Sequence, residues 1–168
     1  RYVASNLSST LTNFKSTQIT ALTTTNLSKL GTMSYGVLNA NQTSGLTTVQ
    51  VSSLGSSQIA AISTSGIQGL TSSAIVSLNS TQFVALTSSQ FGAFTSIEIK
   101  ALSSVQLGLL SPTQVGTLST AAIANLSTTA IVSMTSAQEN MLTTSQIVAL
   151  GTQGVAALTT AQVRDRKS

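Results

Sequence analysis

Large apolar residues recur every eight positions along residues 14–165, in nineteen consecutive blocks that share the consensus L-[ST]-[ST]-x-Q-[IV]-x-A. We call each block an octad and number its positions from one to eight. Position one is large and apolar in all nineteen octads, and position six is apolar or aromatic in seventeen, with Thr43 and Glu139 as the exceptions. A short, fixed period with two apolar rows predicts a repeat array.

The polar positions of the octad predict where each helix begins. Position two is Ser, Thr, Asn or Gly in eighteen octads, and position five is Gln or Glu in twelve. A hydroxyl residue followed three positions later by Gln is the capping box of a helix N-terminus, and positions one and six then form the hydrophobic staple. The only proline, Pro112, falls at the first helical position after the predicted cap, which suits its fixed φ. The predicted helix caps are Thr47, Gln50, Ser111, Gln114, Thr143 and Gln146.

Each octad is therefore predicted to form about a turn and a half of helix, followed at once by the next helix. Helices this short are marginal in water, so the octads must stack on one another. The sequence predicts an all-α solenoid of very short helices, one per octad. A β-solenoid remains the alternative, because Thr, Ile and Val favour strands. The predicted core anchors are Leu22, Leu54, Ile59, Leu86, Leu102, Leu118, Ile123, Leu142, Ile147 and Leu158.

The repeat also predicts how the chain is divided. Residues 1–13 are predicted to be an irregular N-terminal cap, residues 14–165 the octad solenoid, and residues 166–168 a tail. Residues 30–45 match the consensus worst, with Tyr35, Gly36 and Gly45 at unusual positions. We expect a loosened or bent segment there.

The scarcity of charge limits the classes of function. Charged residues make up 6% of the chain, against about 25% in a typical protein. The net charge of +4 comes from seven basic residues that form no stripe along the array, so a nucleic-acid partner is not expected. No run of apolar residues is long enough for a membrane-spanning segment.

Catalytic chemistry is also not expected from this composition. Histidine and cysteine are absent, and the only acids are Glu98, Glu139 and Asp165. These residues supply no acid–base pair, triad or metal cluster, so we expect no enzyme activity, cofactor or metal. Glu139 replaces an apolar anchor, and we expect it to turn outward while Met134 and Met141 fill the space.

Octads such as LTTSQIVA, LTTAQVRD and LTSSQFGA make the array similar to the low-complexity Leu-Thr-Thr-x-Gln-Ile/Val-x-Ala-Leu tracts of large bacterial surface-associated and filament proteins. The resemblance covers nearly all of the chain. It implies a structural or adhesive role at the cell surface or outside the cell.

Two functions remain open at this point. The first is a structural subunit or segment of an extracellular filament, sheath or surface layer, whose partners are copies of itself. Repetition, open ends and the near absence of charge repulsion favour it. The second is an adhesin stalk or binding module that contacts a cell surface, glycan or ice through its Ser/Thr rows. The predicted subunit contacts are apolar residues on the polar surface, namely Val49, Val76, Val84, Ile97, Val105, Val132 and Val148.

Overall fold

The computed structural model describes the backbone of residues 11–165 and the side chains of residues 11–158. It is all-helical over the described residues, so the all-α prediction is confirmed and the β-solenoid alternative is wrong. The predicted segment 1–13 lies mostly outside the described residues, and the tail 166–168 lies wholly outside them.

The described residues form two compact units, residues 11–93 and 94–165. The helices of the first unit are α1 (Ser16–Thr20), α2 (Thr24–Ser28), α3 (Thr32–Gly36), α4 (Ala40–Thr43), α5 (Thr48–Ser53), α6 (Ser56–Ala61), α7 (Thr64–Ile67), α8 (Ser72–Val76), α9 (Ser80–Val84) and α10 (Ser88–Gly92). Those of the second unit are α11 (Ser96–Ala101), α12 (Ser104–Gly108), α13 (Pro112–Thr117), α14 (Thr120–Ala124), α15 (Thr128–Val132), α16 (Ser136–Glu139), α17 (Thr144–Ala149) and α18 (Gly151–Asp165).

The octad that contains α5 shows how each short helix begins and ends. Thr47 is extended, its hydroxyl accepts the Gln50 backbone N–H at 3.2 Å, and the Gln50 Oε1 accepts the Thr47 N–H at 2.8 Å. The Val51 N–H closes one α-turn onto the Thr47 carbonyl at 2.9 Å. Leu54 then donates to the Val51 carbonyl and is extended again, so the next helix can begin. The capping box therefore sets both the start and the brevity of the helix.

Helices stack on the third helix further along the chain. In the first unit, α1 packs on α4, α2 on α5, α3 on α6, and the series continues to α7 on α10. In the second unit, α11 packs on α14, α12 on α15, α13 on α16 and α14 on α17. Each unit is therefore a solenoid-like stack in which no helix is stable by its own local contacts alone.

Glutamine at position five links successive turns of each unit. The Gln50 Nε2 lies 3.1 Å from the Ile19 and Thr20 carbonyl oxygens and 2.7 Å from that of Leu22. These carbonyls lie at and just beyond the end of α1, and that of Ile19 also accepts the Leu22 N–H. The same arrangement recurs at Gln42, Gln58, Gln82, Gln90, Gln138 and Gln146.

The spacing of these bonds gives the number of octads per superhelical turn. Gln50 reaches Leu22, 28 residues earlier, and Ile19, 31 residues earlier. In the second unit Gln146 reaches Leu118 and Val115 with the same separations of 28 and 31 residues. Because 28 residues are 3.5 octads, each unit has between three and four helices per superhelical turn.

Position-one and position-six side chains form the core, as the two apolar rows predict. Eight of the ten predicted anchors are buried, but Leu22 is half-buried and Ile147 is exposed. The polar exception Thr43 is fully buried and donates its hydroxyl hydrogen to the Gly66 carbonyl at 2.6 Å. Tyr35 is also fully buried, and its hydroxyl donates to the Leu27 carbonyl at 2.7 Å. Burial raises the pKa of Tyr35, which keeps this donor protonated.

Residues 30–45, which we expected to be loosened or bent, form α3 and α4, and these helices pack on α6 and α7. One expectation about regularity is wrong. The last two octads do not form separate helices and instead form the single 15-residue helix α18. Octad 158–165 keeps the capping sequence, with Thr159 and Gln162, yet the helix runs through it without a restart. Continuing the helix through residue 158 keeps backbone bonds that a restart would have to replace.

Two glycines at position eight allow the closest approaches between stacked helices. A Cβ on Gly45 would lie 2.2 Å from the Ser16 carbonyl oxygen, and a Cβ on Gly69 would lie 2.0 Å from that of Ala40. Both obstacles are backbone atoms of the helix three octads earlier. Only glycine therefore allows this spacing at these two positions.

Replacing Gln50 by Glu should destabilise the protein at neutral pH. The carboxylate can still accept the Thr47 N–H, but its second oxygen would face the three carbonyl oxygens of the preceding turn. We expect a loss of about 2–4 kcal/mol in the free energy of unfolding, measured by urea denaturation at pH 7.

The matched control is Gln18→Glu. Gln18 also caps its own helix, through the Lys15 N–H, but it is exposed and faces no carbonyls of an earlier described turn. We expect its effect to lie within about 0.5 kcal/mol. Equal losses in the two variants would show that the inter-turn bonds contribute nothing.

Replacing Gly45 by Ala should cost about 1–3 kcal/mol, because the new methyl group meets backbone that cannot rotate away. Gly108→Ala is the control, since a Cβ there meets nothing within 4 Å and alanine favours the helix. Thermal unfolding followed by circular dichroism would measure both. If Gly45→Ala were as stable as Gly108→Ala, the proposed contact between stacked helices would be wrong.

Candidate assembly surface

The described surface carries very few charges. Lys15, Lys29 and Lys100 are the exposed charged side chains among residues 11–158, whereas Glu98 and Glu139 are both buried. The expectation that Glu139 turns outward is wrong, since its side chain is only 8% exposed. Met134, at position one of the same octad, is buried, but Met141 is exposed and does not fill the core. The remaining surface is formed mainly by hydroxyl, amide and small apolar side chains.

Within the described residues, no group of three His, Cys, Asp or Glu side chains is placed to hold a metal ion. None of the described helices is long and apolar enough to cross a bilayer. The features that could serve a function are therefore the exposed apolar positions and the capped helix starts.

Most of the predicted subunit contacts lie on the outer surface. Their exposed fractions range from 42% to 74%, and the most exposed are at positions four and seven of the octad. The exposed members are Val49, Val76, Val84, Ile97, Val105 and Val148. Val132 differs, because it is half-buried and offers little surface to a partner.

Further exposed apolar residues could not be located from the octad pattern alone. Met33 at position four and Val37 and Met141 at position eight are exposed. Ile147 and Val155 occupy position six, which is a core position in the preceding octads, yet they are 40% and 41% exposed. The octad pattern predicted Ile147 as a core anchor from its position alone. The pattern does not show whether a later turn of the superhelix covers that position.

Exposed Ile147, Val148 and Val155 line an open apolar groove between α17 and the start of α18. Its lining residues are Ile147, Val148, Gly151, Thr152, Val155 and Ala156. The groove has a volume of about 550 Å³. Gly151 has a φ of +65°, which directs the chain from α17 into α18 along one side of the groove.

The predicted caps occupy the helix starts. Ser111 accepts the Gln114 N–H at 3.2 Å while Gln114 Oε1 accepts the Ser111 N–H at 2.7 Å, and Pro112 stands at the first helical position. The Thr143 hydroxyl likewise accepts the Gln146 N–H at 3.3 Å, and Gln146 Oε1 accepts the Thr143 N–H at 2.8 Å. The position-two hydroxyls thus already accept backbone N–H groups. The exposed residues at positions four and seven of the octad are therefore the ones available to contact a partner.

Glu98 is the one acid at position five of an octad. Its Oε2 accepts the Thr95 backbone N–H at 2.6 Å, and its side chain is 4% exposed. Burial raises the pKa of the Glu98 carboxyl above its ordinary value, and the hydrogen bonds from Thr95 oppose this only in part. The folded state therefore binds the proton of Glu98 more tightly than the unfolded state does.

The stability from this protonation is fully present below the unfolded pKa and is lost as the pH rises through the folded pKa. We expect Glu98→Gln to be more stable than the parent at pH 7 by on the order of 1 kcal/mol, with the difference shrinking toward pH about 4. Urea unfolding across this pH range would measure it. A constant difference at every pH would exclude titration of Glu98 as the cause.

The capped short helices, the two apolar rows and the inter-turn glutamines define an α-helical repeat protein of the solenoid class. Residues 59–96 match the family model of the ALTTAQ repeat, and this span is a repeat tract of the ALTTAQ type. The predicted resemblance to LTTxQ tracts is thereby confirmed at the level of the repeat. No curated protein and no solved structure matched the chain.

Proposed function

We propose that this chain is a structural subunit or segment of an extracellular filament, sheath or surface layer, which assembles with copies of itself through uncharged repeat surfaces. The observation that carries the proposal is a set of exposed apolar residues at position four of the octad, namely Val49, Ile97 and Val105. We call this set the outer apolar row. Each is at least two-thirds exposed, whereas the apolar residues at positions one and six are mostly buried. Exposed apolar surface of this kind favours protein–protein contact.

The distribution of polar groups supports the same proposal. The glutamine amides that bond one turn to the next are buried inside the units, so the contacts between turns do not depend on surface charge. With three lysines as the exposed charges of residues 11–158, neighbouring copies meet little electrostatic repulsion. Repetition also presents similar surfaces many times along each unit, which suits an extended contact between copies.

The direct test is the behaviour of the purified chain as its concentration is raised. We expect long polymers of defined width by negative-stain electron microscopy. Because few charges take part, we expect the polymer yield to change less than about twofold between low and high salt. A chain that stays monomeric at every concentration by analytical ultracentrifugation would reject the proposal.

A pair of variants tests whether the outer apolar row forms the contact. Val105 and the exposed Thr113 both occupy position four, in successive octads. We expect Val105→Glu to weaken side-by-side association strongly, whereas Thr113→Glu adds the same charge without removing an apolar contact and should weaken it less. Polymer width and yield at matched concentrations measure the difference, and equal effects would assign the weakening to charge alone.

A further inference from the structure

We propose that the Met33 thioether is a modification site, which hydrogen peroxide oxidises to the sulfoxide, and that this oxidation weakens side-by-side association of copies. The effect on association rests on the proposed function, whereas the oxidation of Met33 does not. Three features of the molecule support both: the exposure of Met33, its position in the octad, and the scarcity of other side chains that an oxidant can attack.

Few side chains of this sequence react readily with an oxidant. The sequence contains no Cys, Trp or His, so its three methionines carry the only sulfur atoms. Tyr35 is the only tyrosine among the described residues, and it is fully buried. Methionine thioethers are common sites of oxidation, and a sulfur that solvent reaches is attacked before one that is buried.

The three methionines differ in exposure. Met33 is 83% exposed, the largest exposed fraction among the large apolar side chains of the described residues. Met141 is 43% exposed, and its methyl group lies 3.7 Å from the place that a Cβ on Gly116 would occupy, so one side of its thioether packs on α13. Met134 is 9% exposed and belongs to the core. An oxidant in solution therefore reaches Met33 most readily.

The exposure of Met33 is a property of its octad position. The position-four side chain is exposed in every octad from Thr17 to Gln153. Val49 shows this most directly, because α5 packs on α2 and on α8 and Val49 is still 67% exposed. A helix stacked before or after α3 would therefore leave Met33 open to solvent.

Oxidation changes the chemistry of a side chain at the same octad position as the outer apolar row. The flexible, apolar thioether of Met33 suits a contact with another apolar surface. Hydrogen peroxide transfers one oxygen atom to the sulfur: the O–O bond breaks, an S–O bond forms, the sulfur loses two electrons and the peroxide leaves as water. The sulfoxide is polar, so burying it between copies costs free energy that burying the thioether does not.

The first experiment measures the order of oxidation. The full chain is treated with hydrogen peroxide at a dilution at which it is monomeric, and the sulfoxide at each methionine is followed by peptide mass spectrometry. We expect Met33 to react first, Met141 next and Met134 last, with the rate at Met33 at least about tenfold above that at Met134. Equal rates at Met33 and Met134 would overturn the assignment of the site, whether or not the chain associates.

The second experiment compares the parent with Met33→Leu, which keeps an apolar side chain but has no sulfur. After limited oxidation, we expect the concentration needed for polymers to rise about three- to tenfold in the parent and to stay unchanged in Met33→Leu. Methionine sulfoxide reductases, with dithiothreitol as the electron donor, should restore the parent. Circular dichroism should show the same helical content before and after oxidation, because an exposed side chain contributes little to stability.

A matched pair of variants separates the position from the oxidant. Met33→Gln introduces a polar side chain at position four without any oxidant, and Met141→Gln does so at position eight. We expect Met33→Gln to weaken association and Met141→Gln to leave it nearly unchanged. Equal effects would overturn the special role of position four.

Two further results would overturn the effect on association while leaving the proposed function intact: unchanged polymer formation by a chain fully oxidised at Met33, or an equal loss of polymers in oxidised Met33→Leu. If the unmodified chain does not associate at any concentration, the proposed function fails together with this effect. The order of oxidation then still decides whether Met33 is the modification site.

Discussion

Where glutamine occupies position five, its side-chain amide supplies hydrogen bonds that these short helices cannot make for themselves. A helix of five or six residues leaves most of its N–H and carbonyl groups without intrahelical partners. Gln50 serves both ends, because its oxygen accepts an N–H at the start of its own helix and its nitrogen donates to carbonyls that end a helix of the preceding turn. The amide thereby replaces the hydrogen bonds that a longer helix would make internally, and no octad holding it is independent of its neighbours.

Sequence alone could predict the helix caps and the core positions within each octad. Hydroxyl residues three positions before glutamine identify the caps, and the spacing of Leu54 and Ile59 identifies the core rows, because both depend on contacts within a few residues. The inter-turn bond could not be predicted, since a separation of 28 residues depends on the pitch of the superhelix. Ile147 shows the same limit, because its burial depends on whether a later turn lies over it.

The departures from the octad pattern have separate physical causes. Thr43 is tolerated in the core because its hydroxyl donates to a backbone carbonyl. Glu98 keeps the capping acceptor of glutamine but, when ionised, lacks the donor.

The equivalence of the carbonyl groups at each helix end has a consequence for how such a chain can change in length. If one whole octad is deleted, the glutamines of the next few octads meet carbonyls of a different helix at the same register. If any other number of residues is deleted, the amide and the carbonyls no longer meet. Changes in length by whole octads therefore keep the amides and carbonyls in register, although octads with a required glycine, such as Gly45 or Gly69, are not interchangeable with the others.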